Sequence, residues 1–297
     1  MRSHHLRAAA GGGSTEPYSG DIAVAHAGSP NISVYPWSSS GFGSKYSNPS
    51  TSVPNTGRGV AFSPDGADIA VAHFNNPYIS VYSWSSSGFG TKYTNPSVNP
   101  PGICLGVAFS PDGDDIAIAH VNSPNVSVYP WDSGFGSKYS NPSTIPASTA
   151  TDVAFSPDGS DIATVHVGSP YITVYPWDSG FGTKYSNPTT LPPNTGRAVA
   201  FSPDGSDIAV VHTGSPYISV YPWSSSGFGT KYSDPTTLPE IQGVSVAFTP
   251  DGANIAVGHA GSPYINVYPW DSGFGSKYSN PTTTPQSTSW GVAFSPA

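Results

Sequence analysis

From Val60 the chain alternates with a period of two. Val60, Ala61 and Phe62 run into Ser63-Pro64-Asp65-Gly66, where proline suits the second position of a turn and glycine closes it. Asp68 to His73 predicts a second strand, with Ile69, Val71 and His73 on one face and Ala70 and Ala72 on the other. Asn75-Asn76-Pro77 turns the chain again. Tyr78 to Trp84 predicts a third strand, with Tyr78, Ser80, Tyr82 and Trp84 on one face and Ile79 and Val81 opposite. A Ser-Gly loop leads to a fourth strand over Phe89 to Tyr93, and Asn95-Pro96 opens a connection. No stretch has helical periodicity.

The whole pattern recurs. VAFSPDG-type copies begin at Val60, Val107, Val153, Val199 and Val246, a spacing of 46 or 47 residues. A sixth copy is split: its front half, GVAFSPA, ends the chain, and its back half starts at Asp21. Four short antiparallel strands per period describe a propeller blade. The expected fold is therefore an all-β, six-bladed β-propeller over residues 18–297, preceded by a flexible tail or leader at 1–17. Each blade sets bulky residues on one face and alanines on the other, so neighbours can interdigitate large against small. Gly291 to Pro296 would complete the N-terminal blade and leave no open face.

VAFSPDG, a short strand, and then an aliphatic strand ending in Trp resembles the WD-repeat propellers and the YVTN-type bacterial repeats. Trp131-Asp132, Trp177-Asp178 and Trp270-Asp271 show the WD dipeptide, while the other three blades have Trp-Ser. The Gly-His pair of WD repeats is absent, which draws the likeness toward the YVTN-type group. The SPDG, IAVAH and SPYISVY wording is similar to repeats of phage-encoded and bacterial surface proteins.

Composition narrows the function. Only 9% of the residues are charged, against the roughly 25% of ordinary soluble domains. Ten Lys and Arg against 18 acids give net −8, which argues against a nucleic-acid partner. The 33 glycines and 32 prolines fall at fixed offsets and punctuate turns. The single Cys104 rules out an internal disulfide framework. No apolar run reaches the roughly 18 residues of a membrane span, and no signal-peptide core is visible.

Several repeated residues have a chemical reading and a plainer one. The ring of His26, His73, His120, His166, His212 and His259 suggests a metal, but each lies one strand away from the axis. The distance between neighbours, about 10 Å, is too long for shared ligation. Structural histidines bonded to their own blade's turn are expected, with no metal and no cofactor. The blade tryptophans (Trp37, Trp84, Trp131, Trp177, Trp223 and Trp270) read as packing rather than sugar platforms. The SPDG aspartates read as turn formers. Every lysine lies on the fourth strand, where edge protection outweighs a basic binding rim. The sequons at Asn31 and Asn125 sit at strand starts and read as chance.

Variation concentrates just before the first strand of each blade, where loops on a rigid scaffold often bind. Arg58, Leu105, Thr151, Arg197, Val244 and Trp290 share one offset there, and Asp152 and Gln242 lie beside it. These eight residues form the candidate binding set, ringing one channel mouth. Arg58, Asp152, Arg197 and Glu240 are the only charged candidates for chemistry, and no pair of them reads as a nucleophile with its base. The expectation is a non-enzymatic structural, adhesion or protein-interaction module, extracellular, on a cell surface or in a virion. Its partner would be a protein or a second copy, with a glycan as a further option. The alternatives are a carbohydrate-binding lectin and a lactonase-like enzyme.

Overall fold

The computed structural model describes residues 20–38, 41–285 and 287–294. The leader at 1–17, Gln286 and the Ser295-Pro296 end of the split copy lie outside the described residues. What is described is all-β: six antiparallel sheets of three or four strands, with no helix. No helix of the described residues is therefore long and apolar enough to cross a membrane.

The second sheet shows the plan. A leading strand (Gly57–Phe62), a middle strand (Asp68–His73), a third strand (Ile79–Ser85) and an outer strand (Gly88–Lys92) pair in chain order. The leading strand takes a bulge between Gly57 and Gly59. Equivalent bulges recur in the third to sixth sheets, whose leading strands are Cys104–Phe109, Ala150–Phe155, Gly196–Phe201 and Gly243–Phe248. The first sheet has a middle strand (Gly20–Ala25), a third (Ile32–Ser38) and an outer pair (Gly41–Phe42), but no leading strand among the described residues. Residues 290–294, which correspond to that strand, carry no strand assignment.

Inside each Ser-Pro-Asp-Gly turn the side chains replace backbone partners. Ser63 Oγ donates to Asp65 Oδ1 at 2.5 Å and accepts the Asp68 N–H at 2.9 Å, and Asp65 Oδ1 also accepts the Ala67 N–H at 3.0 Å. These hydrogen bonds hold the Asp65 carboxyl below its ordinary range. Gly66 closes the turn at φ 70°, a conformation open to glycine at little cost. The aspartates are turn formers, as the pattern predicts.

The expected fourth strand is shorter than the sequence suggests. It spans five residues only in the second sheet, two in the first and fifth, and a single bridge in the other three (Trp131–Phe135, Trp177–Phe181 and Trp270–Phe274). The reason is one residue of the third strand. Trp84 gives its N–H to Ala67 on the inner side, so the N–H of residue 83 faces outward. Ser83 supplies that donor. Pro36, Pro130, Pro176, Pro222 and Pro269 occupy the same place elsewhere and have none to give.

The core lies between sheets. Ala23, Ala25, Ile32 and Val34 of the first sheet pack against Val60, Ile69, Val71, Tyr82 and Trp84 of the second. Ala61, Ala70, Ala72, Ile79 and Val81 on the other side of the second sheet meet Val107, Phe109, Ile116, Ile118, Tyr129 and Trp131 of the third. The same large-on-small contact repeats at the three remaining successive junctions. Fully burying a side chain of this size is worth about 1.5–3 kcal/mol, so these junctions supply most of the stability.

A polar clasp accompanies each junction. The indole N–H groups of Trp84, Trp131, Trp177, Trp223 and Trp270 donate to Asp21, Asp68, Asp115, Asp161 and Asp207 of the preceding sheet, at 2.8–2.9 Å. The tryptophans are buried, each ring meeting two phenylalanines and a tyrosine edge to face, as Trp84 meets Phe62, Phe89 and Tyr46. They are packing residues, and an aromatic sugar platform at these five positions is excluded.

Candidate functional site

The variable connections and the hairpins after each middle strand lie at the same end of the sheets. Phe74 N–H donates to Thr56 O, and Val121 N–H to Ile103 O, tying each hairpin to the connection beside it. Every hairpin contains a cis Xaa-Pro bond, followed by a residue at positive φ such as Asn31, Tyr78 or Asn125. Asn31 and Asn125 are buried and spend their amides on Val53 O (2.8 Å) and Pro146 O (3.0 Å). A glycan at either nitrogen would break that link.

The repeated histidines end the middle strands at this face. His120, His166 and His212 place Nδ1 at 2.7–2.8 Å from a carbonyl two residues on. Nε2 meets a hydroxyl of the third strand at 2.9–3.1 Å: Ser33, Ser80, Ser127, Thr173 and Ser219 serve His26, His73, His120, His166 and His212. With Nδ1 protonated and donating, Nε2 accepts the hydroxyl proton, so the ring is satisfied while neutral. Burial pushes His73, His120, His166 and His212 down to about 4. His120, His166 and His212 are thus bonded to their own turn, whereas His26 and His73 are held through the third-strand hydroxyl, with His73 Nδ1 unpartnered.

His259 departs from the pattern. Its third-strand neighbour is Asn266, which has no hydroxyl to offer. Its Nε2 instead lies 3.1 Å from Glu240 Oε2. The approach is close but not aligned as a hydrogen bond. The imidazole is fully buried, whereas Glu240 keeps about a third of its side chain exposed (37%) on the connection into the sixth sheet. Burial lowers the His259 pKa and outweighs the opposing pull of the Glu240 charge. Glu240 stands where the second, third and fifth repeats have Pro54, Pro101 and Pro193. Sequence comparison of the repeats contained both substitutions, but nothing in it joined residues 240 and 259.

The eight candidate binding residues do not behave alike. Arg58 is half-buried, with its guanidinium 4.4 Å above the Phe74 ring of its own sheet. Thr151 is buried and donates to Gly196 O at 2.7 Å on the neighbouring leading strand. Asp152, also buried, accepts the Val199 N–H at 3.2 Å. Both act between sheets, and Val244 is buried. Leu105, Arg197 and Gln242 are half-exposed, and Trp290 is exposed (38%). The shared offset thus mixes structural residues with solvent-facing ones, because the bulge rotates side chains there. Among the described residues no three His, Cys, Asp or Glu are grouped as metal ligands.

No protein-family model matches the chain, and no curated protein does. The likeness to WD and YVTN-type repeats therefore rests on the motifs. Solved structures match clearly. A candidate 6-phosphogluconolactonase from Bacteroides uniformis aligns with a TM-score of 0.66 and 14% identity, covering 91% of this chain and 83% of its own. One from Bacteroides fragilis aligns with a TM-score of 0.69 and 12% identity, covering 91% and 82%. The hydrazine synthase of Kuenenia stuttgartiensis aligns with 0.60 and 17%, covering 80% and 70%. At these identities the likeness is one of fold. It corrects the expectation of a non-enzymatic structural or adhesion module. These three neighbours carry enzyme names, and two of them match the lactonase alternative.

Proposed function

We propose that this chain is a six-bladed β-propeller acting as a lactonase-like hydrolase on a sugar lactone. The fold correspondence with the two candidate lactonases carries the reading. The junctions support the ring, since an interface repeated head to tail with one hand closes on itself when the rotation allows. The reaction centre lies on the connection face of the sixth sheet, at Glu240.

The Glu240 carboxylate is the exposed member of the pair and acts as general base. It takes a proton from water as the oxygen attacks the lactone carbonyl. The tetrahedral oxyanion collapses, the ring C–O bond breaks, and the same proton passes to the departing alkoxide, giving the open-chain hydroxy acid. His259 lies buried behind it, its Nε2 3.1 Å from Glu240 Oε2. Arg197, on the leading strand of the adjacent fifth sheet, is suited to a phosphate or hydroxyl group of the substrate. Arg58, Leu105, Gln242 and Trp290 would line the rest of the mouth.

The test is hydrolysis of glucono-δ-lactone and its 6-phospho form by the parent, Glu240→Gln and Arg197→Ala. Glu240→Gln is expected to lower kcat by about 10²–10⁴-fold, the usual share of a general base. Arg197→Ala is expected to raise KM for the phosphorylated lactone alone. Full activity in Glu240→Gln would remove Glu240 from the reaction.

A further inference from the structure

Five junctions join six sheets, and the outward faces of the first and sixth sheets are left over. On the first sheet that face carries Ile22, Val24, Tyr35 and Trp37, all only half-buried. Their counterparts in the second sheet, Ile69, Val71, Tyr82 and Trp84, are buried against the first. Phe42 is 66% exposed, and a cleft of about 470 Å³ opens beside it, lined by Asp21, Trp37, Tyr46 and Trp84. The sixth sheet presents the opposite kind of face. Ala247, Ala256 and Gly258 are its small residues, and Ile265 and Val267 are half-buried where Ile79 and Val81 of the second sheet are covered.

The polar clasp is also half-made there. At the fifth sheet Asp207 takes Tyr232 OH on Oδ1 and Trp270 N–H on Oδ2, at 2.9 and 2.8 Å. At the sixth, Asn254 occupies the aspartate's place and already accepts Tyr278 OH on Oδ1 at 3.1 Å. The indole that would complete the set is Trp37.

We infer that the sixth sheet's small-residue face receives the first sheet's face within one molecule, with Asn254 accepting the indole N–H of Trp37. This rests on the ring reading and is independent of the reaction. Complementarity selects the occupant: a large face and a small face of one repeated junction are the two surfaces left unmatched. The seam differs chemically from the other five. An asparagine has one acceptor oxygen, which must serve both Tyr278 and Trp37, whereas an aspartate offers two and a charge. The seam is accordingly the weakest junction.

A double-mutant cycle tests the pairing. Asn254→Asp supplies the second oxygen and is expected to raise the thermal midpoint by about 2–4 °C in the parent. In Trp37→Phe, which keeps the ring but loses the N–H, the same substitution should have no such effect. Light scattering should give a monomer at every concentration, and hydrogen exchange should show protected amides at 292–294. Equal effects of Asn254→Asp in both backgrounds, with 292–294 protected, would overturn the Trp37–Asn254 contact while leaving the ring intact. Unprotected 292–294 would overturn the ring as well. Coupling that appears only as mass grows with concentration would assign the two faces to a second copy and overturn the intramolecular seam.

Discussion

Asp161 holds two neighbours at once: its Oδ1 accepts Tyr185 OH and its Oδ2 accepts the indole N–H of Trp223, each at 2.9 Å. Trp223 belongs to the next sheet, so the carboxylate ties the outer part of one repeat to the core of the following one. Asp161→Ala leaves both donors without a partner, the indole in a buried position. Losing one buried partner costs about 1–3 kcal/mol, so a total of roughly 2–4 kcal/mol is expected by urea denaturation. A loss below about 0.5 kcal/mol would show that packing alone holds the junction.

Much of this architecture is legible in the sequence. The 46- or 47-residue spacing, the turns and the opposition of Ile69 and Val71 to Ala70 and Ala72 all follow from period-two alternation. The clasp is not legible, because Asp68 and Trp131 stand 63 positions apart and Asp68 reads as an ordinary polar strand start. The length of the outer strand is not legible either, because Pro130 and its counterparts matter only once the outward direction of that N–H is known. Glu240 and His259 were each visible, and their pairing required the path of the connection into the sixth sheet.

Four buried histidines predict a direction for the pH dependence. Their ordinary value is 6.5, and in the folded state His73, His120, His166 and His212 are pushed down to about 4. The folded state therefore favours the neutral ring, and between these values the unfolded chain binds more protons. Their contribution is complete above 6.5 and is lost as the pH falls through about 4. Unfolding free energy measured from pH 7 to pH 4 should fall with a slope reflecting uptake of up to about four protons. Stability rising over that range would contradict the buried, neutral assignment.

Ser83 predicts where the outer strand can be shortened or grown. Ser83→Pro should reduce the strand at Gly88–Lys92 to the bridge seen elsewhere, with faster amide exchange there. The stability loss should stay below about 1 kcal/mol, because one exposed ladder bond is removed. Pro130→Ser should extend the ladder beyond Phe135 in the third sheet. Unchanged exchange in both variants would mean that the hairpin, rather than the missing N–H, limits the strand.

The enzyme reading is tested most directly by the unmodified chain. Purified protein is mixed with glucono-δ-lactone or its 6-phospho form near neutral pH, and acid release is followed against spontaneous hydrolysis. Saturable acceleration of at least one lactone is predicted, with the phosphorylated form favoured if Arg197 binds the phosphate. Hydrolysis of both lactones at the spontaneous rate would contradict the lactonase-like assignment.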